Sequence, residues 1–209
     1  MSGKKPLRTA KKKNNMKRFG RGTPVRLFAG GLHGDEWIST FPRFERLTPP
    51  GTGSLLVMPK VSERSYLSTL DKDYYTEYAP HLLDAIITYK PIIYLELHSY
   101  SDENLSALTE IGRLENQGVP AYIELESGIL MGSVSPHIRK EYFFPHDLCV
   151  SFEMPKNPSE QSLEIIDHLL YVVKECSGRD GFVQYMKQVY PGQASIAIKN
   201  YLRFYGHLY

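Results

Sequence analysis

Five short apolar runs constrain this fold most: Val25 to Ala29, Leu55 to Met58, Ile92 to Leu97, Ala121 to Leu125 and Leu148 to Phe152. Several are nearly continuous in Val, Ile, Leu and Phe, which is the composition of strands buried on both faces. Amphipathic stretches separate them. This alternation predicts an α/β domain whose mostly parallel or mixed central sheet is flanked by helices. Helices are expected over Pro80 to Tyr89 and over Glu103 to Asn116, where Leu105, Leu108, Ile111 and Leu114 share one face. A third runs from Pro158 to about Cys176 with Asn157 as its cap, and one or two more fill Gly181 to Tyr205, broken at Pro191-Gly192. With 209 residues there is enough chain for one good core and not for two large domains.

The net charge of +2 hides an asymmetry. Residues 1–22 carry nine of the 25 basic residues and no acid, which leaves 16 basic against 23 acidic residues in the remainder. So basic and so poorly apolar a segment cannot offset its ordering entropy by burial, so residues 1–22 are expected to be a disordered tail and residues 23–209 a single α/β domain. The tail reads either as a weak nucleic-acid contact through phosphates or as a solubilising extension. The acidic body argues against nucleic acid as substrate. No run approaches the roughly 18 apolar residues of a membrane span, and no apolar core follows the basic stretch, so no membrane association and a cytoplasmic location are expected. Cys149 and Cys176 are too few and too far apart for a disulfide framework and read as buried thiols.

The stretch Leu27-Phe-Ala-Gly-Gly-Leu-His-Gly-Asp-Glu36 is a strand that runs into glycines and then presents His33 and Glu36 three residues apart. Imidazole nitrogen and carboxylate oxygen are both good zinc ligands, and the carboxyl end of a strand is where open α/β sheets keep their sites. By contrast, His81-x-x-Asp84 lies inside an expected helix and reads as a solvated face. A catalytic zinc takes three protein ligands and leaves a position open. His98, ending Pro91-Ile-Ile-Tyr-Leu-Glu-Leu-His98, supplies the third if it is not simply a satisfied strand-end histidine; Glu96 shares its strand face and suits an outer supporting acid. A fourth element, Leu148-Cys-Val-Ser-Phe-Glu-Met-Pro155, ends in Glu153, either an ordinary strand-end acid or a general base beside zinc-activated water.

Taken in order, GGLHGDE, ELHSY and SFEMP resemble the zinc carboxypeptidase clan, in particular its succinylglutamate desuccinylase and aspartoacylase branch, over roughly residues 25 to 155. The wording of GGLHG is also similar to a compact archaeal group of uncharacterised proteins within that clan. The resemblance implies a zinc-carboxypeptidase-like catalytic domain, zinc held by His33, Glu36 and His98, and Glu153 as catalytic carboxylate. The branch usually carries an Asn-Arg pair for the substrate carboxylate; here the comparable stretch reads Leu70-Asp-Lys-Asp-Tyr-Tyr75. Arg64 is a candidate to replace it, gripping substrate or polarising a carbonyl, and Arg139 is a second candidate for a substrate anion, although an exposed surface arginine is the commoner reading of both. The chain has no room for the added C-terminal domain of aspartoacylase-like members, so its pocket needs another roof. Fifteen tyrosines, Tyr66, Tyr74, Tyr75 and Tyr78 among them, read equally as core or subunit contact.

The expected activity is zinc-dependent hydrolysis of an amide in an N-acyl amino acid or small peptide-like substrate. One alternative is a catalytically silent zinc-binding or sensing module tethered by its basic tail to RNA or a protein. The other is a glycine-rich turn that cradles a phosphate without metal. The sequence leaves the oligomeric state open.

Overall fold

The computed structural model describes residues 16–62 and 67–206. Seven strands form one mixed sheet: β1 (Lys17–Gly20), β2 (Val25–Gly30), β3 (Ser54–Met58), β4 (Ile93–Tyr100), β5 (Ile123–Glu126), β6 (Ile129–Gly132) and β7 (Leu148–Pro155), in the order β1-β3-β2-β4-β7-β6-β5. The four central strands β3, β2, β4 and β7 are parallel, while β1 and the β5-β6 hairpin run antiparallel at the two edges. From β2 the chain moves to one side to make β3 and then returns to the other side for β4. This order reversal opens a crevice at the carboxyl ends of β2 and β4.

Nine helices cover the sheet among the described residues: α1 (Trp37–Glu45), α2 (Tyr74–Glu77), α3 (Pro80–Tyr89), α4 (Leu105–Thr109), α5 (Arg113–Gln117), α6 (Pro136–Tyr142), α7 (Glu160–Glu175), α8 (Arg179–Val189) and α9 (Pro191–Tyr205). Side chains alternate along each strand, so the central strands feed two cores. Phe28, Leu95, Leu97, Val150 and Phe152 meet Phe44 of α1, Ile166 and Leu169 of α7 and Phe182 of α8 on one face. Leu27, Ala29, Leu56 and Tyr94 meet Tyr74, Leu82, Ile86 and Ile138 on the other. This is why the central strands read as continuous apolar runs. None of the helices is long and apolar enough to cross a membrane.

Several expectations are corrected. The disordered tail expected over residues 1–22 does not reach residue 22, since Lys17–Gly20 pair with Val57–Ser54 as β1 and Lys17 pairs with Glu45; residues 1–15 lie outside the described residues. The single helix expected over 103–116 is a 3-10 turn, α4 and α5, because Glu110 turns extended (ψ 127°), Gly112 weakens helix continuation and Ile111 stands 96% exposed with nothing to pack against. Ser159, not Asn157, caps α7, its hydroxyl accepting from the Ser162 N–H at 3.1 Å. The β6 strand went unforeseen because it has only four residues; it returns from β5 through Ser127 and Gly128, both at positive φ (50° and 77°), as a two-residue hairpin requires. Cys149 and Cys176 are free and only partly buried.

Gly31 links β2 to the loop that follows at a φ of +59°, and a Cβ there would come within 2.7 Å of the Trp37 Cβ and 3.2 Å of the Lys60 Cα. Gly118 has a similar φ of +73° but open space around it. Gly31→Ala is therefore expected to destabilise by about 2–3 kcal/mol and Gly118→Ala by about 1 kcal/mol, compared by urea denaturation midpoints at constant slope. Equal shifts would show that backbone angle alone matters at Gly31.

Candidate metal centre

His33 and Glu36 sit on the turn between β2 and α1, and Glu36 is the residue preceding the first helical turn. The Glu36 N–H donates to the His33 carbonyl at 3.1 Å, the His33 N–H donates to Glu36 Oε2 at 3.2 Å, and Tyr74 donates its hydroxyl proton to the Leu32 carbonyl. The turn is thus tied at both ends. His98 arrives from the adjacent strand, since Gly30 pairs with Leu97 in the β2-β4 ladder. The two imidazoles lie with ring centroids 5.2 Å apart, and each of His33, Glu36 and His98 offers one ligand atom within 4.8 Å of the others.

His33 Nδ1 lies 3.0 Å from Glu36 Oε1 and His98 Nδ1 lies 3.4 Å from Glu36 Oε2. Burial pushes the Glu36 carboxyl up, but the charge on His98 and hydrogen bonds to both imidazoles outweigh it and hold the group at about 2. Burial lowers His98, yet Glu36 and Glu96 together raise it well above the ordinary histidine value. His33 Nε2 and His98 Nδ1 are buried without a hydrogen-bond partner. Two imidazoles, each with one buried nitrogen left unpaired, and a carboxylate whose donor atoms cluster within 4.8 Å are what a divalent cation satisfies, and the N, N, O donor set suits zinc.

The outer layer strengthens this fit. Glu96 Oε2 lies 3.3 Å from His98 Nε2, while its Oε1 accepts from the Tyr75 hydroxyl at 2.8 Å and the Tyr94 hydroxyl at 2.6 Å. A carboxylate on the far nitrogen fixes the ring and leaves Nδ1 for the metal. Glu153 pairs in register with His98 across β4 and β7. Burial raises its carboxyl to about 7; the His98 charge pulls downward, and Glu36 adds to the rise.

Two cavities meet here. One, more enclosed and of about 160 Å³, is lined by His33, His98, Arg113, Ser135 and Glu153; the other, more open and of about 210 Å³, is lined by Glu36, Tyr100, Asn104 and Glu153, with Leu108 bordering both. Leu108 and Arg113 come from the β4-β5 excursion, and Phe204 and Tyr205 from the end of α9 close the enclosed side. These segments roof the enclosed cavity.

The structure brings His33, Glu36, His98 and Glu153 together. It does not bring Arg139 to them: that guanidinium donates to the carbonyls of Phe144 (2.8 Å) and Pro145 (3.1 Å) and to the Tyr201 hydroxyl (3.0 Å), beside a separate apolar cavity of about 340 Å³. Arg139 holds the segment after α6 and is not available to a substrate anion at the candidate metal centre. Arg64 lies outside the described residues. Sequence reading missed Tyr75, Tyr94 and Arg113. The alternation Tyr94-x-Glu96-x-His98 places all three on one strand face and carried the signal for Tyr94; Arg113 had none, because it sat inside a helix that does not form as one piece.

The family model described as "Uncharacterized protein conserved in archaea (DUF2119)" matches residues 21–206. The chain belongs to this family. An uncharacterized protein of Methanocaldococcus jannaschii is 33% identical over 181 residues, covering 79% of this chain and 84% of its own. Among solved structures, a metallo-carboxypeptidase from Pseudomonas aeruginosa, in complex with (2-guanidinoethylmercapto)succinic acid, is similar with a TM-score of 0.43 and 12% identity over 83% of this chain, which spans 60% of that enzyme's chain.

Purified protein offered zinc is expected to hold close to one equivalent by elemental analysis, with His98→Ala losing most of it and Glu96→Gln weakening affinity about 10- to 100-fold in competition with a chelator. In metal-free protein the raised Glu153 carboxyl carries a pH signature. Because its folded value of about 7 exceeds the ordinary 4.5, its contribution is present below pH 4.5 and lost as pH rises through 7. Metal-free Glu153→Gln is expected to match the parent at pH 5 and to exceed it by on the order of 2–3 kcal/mol at pH 8, measured by denaturant melts.

Proposed function

We propose that this protein is a zinc-dependent hydrolase that cleaves an amide bond in a small substrate, an N-acyl amino acid or a short peptide-like molecule. The observation that carries the reading is the register pair His98 and Glu153, which sets a buried carboxylate next to a three-residue N, N, O donor set at the carboxyl edge of parallel strands. Three donors leave a metal position free for reacting groups, as catalytic zinc sites do. Zinc held by His33, Glu36 and His98 supplies Lewis-acid chemistry, lowering the pKa of a water and polarising a carbonyl.

The chain's own residues do the remainder. Glu153 takes the proton from the attacking water and returns it to the leaving nitrogen, so that amide and water become carboxylic acid and amine. Its carboxylate lines both cavities, and so faces groups on either side of a bond lying between them. Leu108 borders the same two spaces and limits bulk water over the bond. Volumes of about 160 and 210 Å³ fit one small group on each side and leave no place for a folded protein.

Glu153→Gln is expected to retain zinc at the parent level and to lose about 10²- to 10⁴-fold in turnover on N-acetyl amino acids or dipeptides, read by release of free amine. Undiminished turnover in that variant would remove Glu153 from the chemistry. Stoichiometric zinc with no turnover on any amide would favour the silent sensing module instead.

A further inference from the structure

Eight buried side-chain atoms lack a hydrogen-bond partner among the described residues, and four of them, His33 Nε2, His98 Nδ1, Arg113 Nε and Ser135 Oγ, belong to residues lining the one enclosed cavity of about 160 Å³. The other four are scattered over side chains outside that cavity, each of which keeps at least one hydrogen bond: Arg26 to three backbone carbonyls, Arg43 and Asp167 to each other, and Asp147 to the Phe144 N–H. A cation explains His33 and His98. It does not explain Arg113, 7% exposed, or Ser135, 3% exposed.

Arg113 is held by its Nη1, which donates to the Pro120 carbonyl at 2.9 Å, and by the Tyr122 ring, 5.2 Å from the guanidinium carbon. Nε and Nη2, the two donors on the other edge, make no hydrogen bond among the described residues. That edge is the fork that matches a carboxylate with two parallel N–H···O bonds. Glu153 acts on Arg113 through its charge, but no ion pair joins them among the described residues. Leaving the Nε of a guanidinium and a hydroxyl both buried and unpaired in one small cavity is costly unless a ligand completes them.

We propose that Arg113 and Ser135 form an anion subsite, separate from the metal ligands, that holds a carboxylate carried by one half of the amide. Arg113 supplies the Nε–Nη2 fork and Ser135 a single hydroxyl donor. That the ligand is a substrate rests on the hydrolase reading; that an anion binds here does not. The remaining hydroxyl-bearing lining groups, Ser68, Thr69, Tyr122, Ser133 and Tyr205, select a small polar group over a long apolar one on this side.

The test is titration of succinate, with uncharged succinamide as control, into the full-length protein both metal-free and zinc-loaded, following the Arg113 Nε–H resonance by NMR and affinity by calorimetry. The expected result is a downfield shift of that resonance with succinate alone in both forms. Kd should weaken about 10- to 100-fold in Arg113→Met, less in Arg113→Lys, and by less than about 10-fold in Ser135→Ala. An unmoved Nε–H resonance, equal binding of succinamide, or parent-like affinity in both arginine variants overturns the subsite. Because the shift is read without metal, its failure is distinct from absence of zinc or of turnover; conversely, a zinc-loaded enzyme that hydrolyses amides with Arg113→Met unaffected would sink the subsite alone.

Discussion

The parallel register of β2, β4 and β7 is what the candidate site depends on. Gly30 beside Leu97 and His98 beside Glu153 bring three strand ends to one edge, so residues separated by more than a hundred positions in the chain meet without any long loop having to fold back. A one-residue slip of β7 against β4 would turn Glu153 to the opposite face of the sheet and put Phe152 or Met154 at the site. That slip is opposed by the apolar set itself. Val150, Phe152 and Met154 fill the core under α7, and moving them by one residue would expose them all. The candidate site is held in place by packing on the opposite face of the sheet.

Placing acids and imidazoles at the buried end of such a sheet has an energetic consequence that the outer residues absorb. Glu96 is 1% exposed in the middle of an apolar strand, and without partners such a carboxylate would be severely destabilising. Two tyrosine hydroxyls and the His98 ring give it three. Tyr75 and Tyr94 therefore act as core side chains through their rings and as donors through their hydroxyls, and burial next to Glu96 drives both phenols far above their ordinary values, so they stay neutral donors. The ligand layer is oriented by a support layer, and that layer is anchored in the apolar core of the face carrying Tyr74, Leu82 and Ile138.

What was legible in the sequence follows from the same physics. Strands buried on both faces announce themselves as apolar runs, so β2, β3, β4 and β7 were readable within a few residues, and polar groups at their carboxyl ends stood out because they interrupt those runs. His33, Glu36, His98 and Glu153 were found this way. The edge elements were not readable. β1 is Lys-Arg-Phe-Gly, mostly exposed, and is set by pairing to β3 rather than by its own composition. The helix expected over 103–116 failed because a repeat of leucine and isoleucine at helical spacing needs a surface to pack on, and Ile111 finds none. Arg139 was misjudged for a related reason: an arginine near a helix end reads as exposed, and only the fold shows backbone carbonyls converging on it.

The division of labour between regular and irregular segments carries a further consequence. The candidate metal donors His33, Glu36 and His98 and the buried Glu153 sit on or directly after central strands, where a neighbour's register fixes each position. Leu108, Arg113 and the serines near residue 135 sit on the broken excursion between β4 and β5 and on the turn after β6. These short segments and the end of α9 line the enclosed cavity, so they both close it and choose what enters it. Substitutions in the strands should then abolish chemistry, whereas substitutions in the excursion should exchange one ligand for another. A helix that breaks at Gly112 is what allows Arg113 to turn inward beneath Tyr122, so the feature that defeated the periodicity argument is also the one that shapes the enclosed cavity.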